Sequence, residues 1–112
     1  MIKWIPYGKK NVLGVTVKKK YPWRYSYYAI KHQYLELGRE YDGNAEMFDF
    51  QGAESILWYG FISGCKFAGV KCDLKREDME FVLDQSLYEF IDAYNSFRQD
   101  VLKRAGQSVE KK

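Results

Sequence analysis

Between Tyr21 and Leu37 the spacing of large apolar residues changes from two to three and four. Tyr21, Trp23 and Tyr25 alternate as residues on one face of a strand do, and Tyr27, Ile30, Tyr34 and Leu37 then recur as one stripe of a helix does. Ser26 stands at the change, where its hydroxyl can cap the first free amides of a helix, and Gly38 closes the stripe as a residue that enters the left-handed region without strain. A strand must therefore run straight into a helix, and the rest of the chain must cover both aromatic faces.

The strand region extends upstream. "IKWIP" alternates and "NVLGVTVKK" sets Val15 and Val17 on one face, which predicts short antiparallel strands in a hairpin or meander. Pro6 and Pro22 fit only strand starts or edges, and the turn is expected near Lys18 to Lys20.

Downstream the pattern is helical. From Asp49, a plausible cap, Phe50, Ala53, Leu57, Phe61 and Cys65 fall on one side of the most apolar helix, with Ile56, Gly60 and Gly64 beside them. The two glycines leave a groove where another helix or an aromatic ring can approach closely. "REYDGNAEM" reads as a loop, and "GVKCD" as an extended link to a helix over "LKREDMEFVLD" with Met79, Val82 and Leu83 inward. Ser86 and Glu89 then have capping-box spacing and open a fourth helix carrying Leu87, Phe90, Ile91, Tyr94, Val101, Leu102 and Ala105. The expected fold is α+β, a small N-terminal antiparallel hairpin or meander packed on about four α-helices. Residues 1–106 form one domain and 107–112 a flexible C-terminal tail.

Composition narrows the function. The first ten residues lack the apolar core of a secretory signal, and "SILWYGFISG" is too short to span a bilayer, so a cytoplasmic location without membrane contact is expected. Cys65 and Cys72 are too few for a disulfide framework or a four-ligand zinc site and read as reduced thiols. His32 is the only histidine, no nucleophile motif or phosphate-binding glycine loop occurs, and neither enzyme activity nor a cofactor or metal is expected. Asp73, Glu77, Asp78, Glu80 and Asp84 read as a solvated helix face whose first-turn charges complement the helix dipole.

Charge is divided along the chain. Residues 1–35 hold eight Lys or Arg and no acid, whereas residues 36–112 hold ten basic and fifteen acidic residues, giving +8 and −5. Such a split marks a nucleic-acid arm, two halves that attract each other, or two differently charged faces for partners. Nucleic acid is the less favoured, because the aromatics of the stretch 18–37 are committed to a core rather than free for base stacking.

The run "KKYPWRYSYYAIKHQY" resembles the opening of the small tail assembly chaperones of long-tailed bacteriophages, a basic turn, an aromatic strand with an internal proline and an aromatic helix. The likeness continues through "ILWYGFISGCKFAG", "CDLKREDMEFVLD" and "LYEFIDAYNSF", so that it spans residues 15–97. Two departures stand out. Lys75 occupies the place of a Ser or Thr cap, which shifts the expected cap to Asp73, and residues 1–14 have no counterpart.

The resemblance implies a non-enzymatic protein that binds the tape measure protein in the host cytoplasm, helps to recruit tail tube subunits and is absent from the mature virion. The residues add candidate partner-binding positions. Phe90, Tyr94, Phe97 and Val101 give the last helix more apolar surface than a small domain needs, for a tape measure helix or a second copy of the chain, and Lys18, Lys19 and Lys20 offer a charged face. A small basic nucleic-acid-binding domain, or another phage-encoded interaction domain, is the alternative.

Overall fold

A computed structural model describes residues 2–10, 13–38 and 50–110, apart from the side chains of 50, 51 and 101–110. The loop expected over "REYDGNAEM" and the cap expected at Asp49 lie outside the described residues. Strand β1 (Lys3–Lys10) pairs antiparallel with β2 (Thr16–Trp23), and helices α1 (Tyr27–Leu37), α2 (Phe50–Ala68) and α3 (Asp78–Glu110) follow. The architecture is thus α+β, with a two-stranded hairpin and three helices rather than about four.

The hairpin turn falls between Lys10 and Thr16, not at Lys18 to Lys20, which lie inside β2 opposite Gly8, Tyr7 and Pro6. Gly14, at φ 78°, supplies the left-handed residue that a lysine run lacks. β2 lies on α2 and β1 lies on α3, so the hairpin bridges two helices.

The expected glycine groove is present and holds Trp23. A Cβ at Gly60 would fall within the indole, and one at Gly64 would fall on the Pro22 carbonyl, so only glycine lets the strand come this close to the helix. The Trp23 indole N–H donates to the Ile56 carbonyl at 3.3 Å and the Arg24 N–H to the Gly60 carbonyl at 3.0 Å, tying strand to helix. Around Trp23 the core gathers Ile5, Tyr21, Leu57, Phe61, Met79 and Val82. Trp58 is only half-buried and packs against that core from its margin.

Both ends of α1 follow the sequence. The Ser26 hydroxyl accepts from the Ala29 N–H at 3.2 Å, and Gly38 ends the helix at φ 65°. The buried face is different, however. Ala29 and Gln33 are inside, Ile30, Tyr34 and Leu37 are half-buried, and Tyr27 is 80% exposed. The reason lies in the cap, whose hydroxyl also bonds the Ser63 hydroxyl of α2 at 2.7 Å. A cap seated on α2 directs the positions three and seven further on at the same neighbour and turns Tyr27 away.

The third and fourth expected helices run on as α3 with a kink between them, at the residue expected to open the fourth. Ser86 has φ −133° and ψ 35°, and its hydroxyl donates to the Pro6 carbonyl of β1. The helix then continues to Glu110, through part of the segment expected as a flexible tail. Its start is not capped by Asp73. The Asp78 carboxylate reaches back to the Lys75 N–H at 2.8 Å, the reciprocal arm of a capping box, so Lys75 takes the cap position with no capping side chain of its own.

Candidate partner-binding site

The aromatic residues expected to meet a partner face inward. Phe90, Tyr94 and Phe97 are 2%, 3% and 7% exposed. Phe90 and Phe97 meet Trp23 edge-on at 5.6 and 5.9 Å, and Tyr94 meets Tyr25 at 5.6 Å. Phe90, Tyr94 and Phe97 are thus taken up by Trp23 and Tyr25, and β1 packs on α3. The side chain of Val101 lies outside the described residues.

The three lysines are separated by the pleat. Lys19 shares the core side of the sheet with Tyr21 and Trp23 and pairs with Asp73 at 3.1 Å. Lys18 and Lys20 lie on the opposite side and are exposed. Burial raises the Asp73 carboxyl, but the Lys19 ammonium and the Tyr21 hydroxyl outweigh it and hold it below the usual range.

Tyr27 and Tyr28, turned outward by the seating of the cap, form an open groove of about 560 Å³ with Arg24, Ser26, Ser63, Lys66 and Phe67. Phe67 is 60% exposed, with the Arg24 guanidinium 4.3 Å from its ring centre. Arg24 and Lys66 charge the groove, and among the described residues no acid lines it. Exposed aromatic rings with two cations in the same groove suit an apolar side chain followed by a carboxylate, as on an amphipathic acidic helix. Sequence periodicity assigned Tyr27 to the core and so concealed this groove. The signal that could have exposed it is Ala29, whose methyl fits close contact with a neighbouring helix better than a tyrosine ring does.

Polar groups elsewhere join elements. Asp78, expected on a solvated face, is buried and accepts from the Tyr7 hydroxyl and Lys9 ammonium, both at 3.3 Å. Glu36 of α1 takes both guanidinium nitrogens of Arg76 at 2.9 Å. Burial pushes the Glu36 carboxyl up, but its hydrogen bonds, the Arg76 fork among them, bring it below its ordinary value. Burial together with Cys72 pushes the Cys65 thiol up to about 12, so it stays protonated and is a poor nucleophile. No group of three or more His, Cys, Asp or Glu among the described residues is placed to hold a metal ion. No helix among them is long and apolar enough to cross a membrane.

Comparison with protein-family models, with curated proteins and with solved structures finds no match for this chain.

Proposed function

We propose that the chain is a non-enzymatic tail assembly chaperone of the long-tailed phage type, which binds the tape measure protein and helps to recruit tail tube subunits. The observation that carries the reading is the groove beside α1 and α2, where Tyr27, Tyr28 and Phe67 are exposed together with Arg24 and Lys66. A tape measure protein must be kept soluble along long apolar helices, and a groove of exposed rings that also carries two cations receives one such helix by its apolar face. The resemblance over residues 15–97 supplies the partner, and the groove replaces Phe90, Tyr94 and Phe97 as its docking surface.

The gene's surroundings and a co-expression assay test this. A tape measure gene is expected directly downstream, and its product should stay soluble with the wild-type chain but precipitate with Tyr27→Ser/Phe67→Ser. A tape measure protein equally soluble without the chain overturns the reading. The second reading, a basic nucleic-acid-binding domain, rests on Tyr27, whose ring is 80% exposed beside Arg24 and Lys66 and could stack on a base. Tight DNA binding at low salt that falls steeply as salt is added would select it.

A further inference from the structure

The two edges of the hairpin are finished differently. On β1 the Gly8 N–H donates to Gln85 Oε1 at 2.8 Å, and the Gln85 amide donates back to the Gly8 carbonyl at 3.0 Å. The Ser86 hydroxyl takes the Pro6 carbonyl. Gln85 thus serves this edge as the peptide group of a third strand would.

These bonds also fix the ladder. Because the Gly8 and Pro6 groups point away from β2, Gly8 with Lys18 and Pro6 with Lys20 are the non-hydrogen-bonded pairs of the register. The N–H and carbonyl groups of Lys18 and Lys20 therefore point away from β1, and by the two-residue period those of Thr16 do too. At the far end of this second edge α2 takes over, where Arg24 bonds Gly60 and Pro22 abuts Gly64. From Thr16 to Lys20 the strand is exposed, and among the described residues nothing pairs with these outward groups.

An open edge is a template for another strand, and its side chains decide which. A second copy pairing antiparallel would set lysine against lysine, which is repulsive. A strand with carboxylates at alternate positions meets Lys18 and Lys20 on the outer side of the sheet, where no acid from this hairpin competes. Lys19 takes no part, since it lies on the other side with Asp73. We propose that the edge of β2 from Thr16 to Lys20 receives an extended acidic segment of a partner protein as a third strand. Outward backbone groups at strand spacing favour a polypeptide over a nucleic acid as occupant. The inference stands apart from the groove and survives if the groove binds nothing.

The probe is a labelled eight-residue peptide alternating glutamate and threonine, titrated at low salt against wild type, Lys18→Gln and Lys18→Pro. Proline at 18 removes an N–H that faces away from β1, so no ladder bond of the hairpin is lost. Lys18→Gln should weaken binding a few-fold by removing charge, and Lys18→Pro by about a further tenfold by removing the edge donor as well. At saturating peptide the Lys18 and Lys20 amides of the wild type should exchange with solvent at least about tenfold more slowly, a readout that does not depend on how the proline variant folds. No saturable binding, equal affinities for the two variants, or unchanged exchange at those amides each overturn the proposal. So does a single-stranded oligonucleotide that binds more tightly than the peptide through the same two lysines.

Discussion

Trp23 illustrates how much a single side chain organises: it fills the space above Gly60, donates to the Ile56 carbonyl and meets Phe90 and Phe97 edge-on. Trp23→Ala should cost about 3–5 kcal/mol, whereas Trp58→Ala, at a half-buried margin, should cost less; urea melts of the two variants check the order. Gly64→Ala is the sharper test, because the added methyl meets the Pro22 carbonyl, which is backbone and cannot rotate aside. A loss of about 1–3 kcal/mol is expected, and a neutral result in the same melts would show that strand and helix are not in contact there. The groove at Gly60 and Gly64 was legible in the sequence, with another helix or an aromatic ring as its occupant. Which ring was not, since spacing along the chain carries no information on which strand crosses which helix.

At the scale of elements, periodicity and caps located α1, α2 and the aromatic strand, and Ser26 and Gly38 bound α1 as their chemistry requires. What failed did so where a tertiary bond displaced a local one. Ser86 does stand at a break between two helical stretches, as a cap would, but its hydroxyl donates to β1. Tyr27 had helical spacing, but the cap's bond to Ser63 rotates α1 so that Ala29 and Gln33 face α2 instead. Lys18 to Lys20 look like a turn when "NVLGVTVKK" and the alternation from Tyr21 to Tyr25 are taken as two strands, but they continue the single strand β2. The side-chain closure of β1 is itself testable. Gln85→Ala leaves both Gly8 backbone groups without their partner and should cost about 1–3 kcal/mol. Faster amide exchange at Gly8 with the rest of β1 unchanged is the expected signature, and unaltered exchange would contradict the pairing.

Across the whole molecule the charge split becomes a docking of one half on the other: Lys9 meets Asp78 and Lys19 meets Asp73, joining the basic hairpin to the acidic segment before and within α3. The Lys19 pair is half exposed, so it adds at most about 1 kcal/mol. Two carboxyls, Glu36 and Asp73, sit below their ordinary values, so each contributes stability above its unfolded value that is lost as pH falls through the folded one. Tyr7, Tyr21 and Cys65 are raised, chiefly by burial, so their contribution is complete below the ordinary thiol and phenol range and is lost at more alkaline pH. Thermal melts should therefore show a plateau near neutrality that declines on both sides, and Glu36→Gln should flatten the acid decline. The division between core and docking surface is the centre of the account, and one paired measurement reaches it most directly: stability by urea melt and tape measure solubility on co-expression, for Phe97→Ser beside Tyr27→Ser/Phe67→Ser. The account predicts that Phe97→Ser lowers the melt midpoint sharply while the Tyr27 and Phe67 changes abolish solubilisation and leave the midpoint in place. A stable Phe97→Ser variant that loses its partner, beside a groove variant that keeps it, would contradict the account and return the docking surface to the last helix.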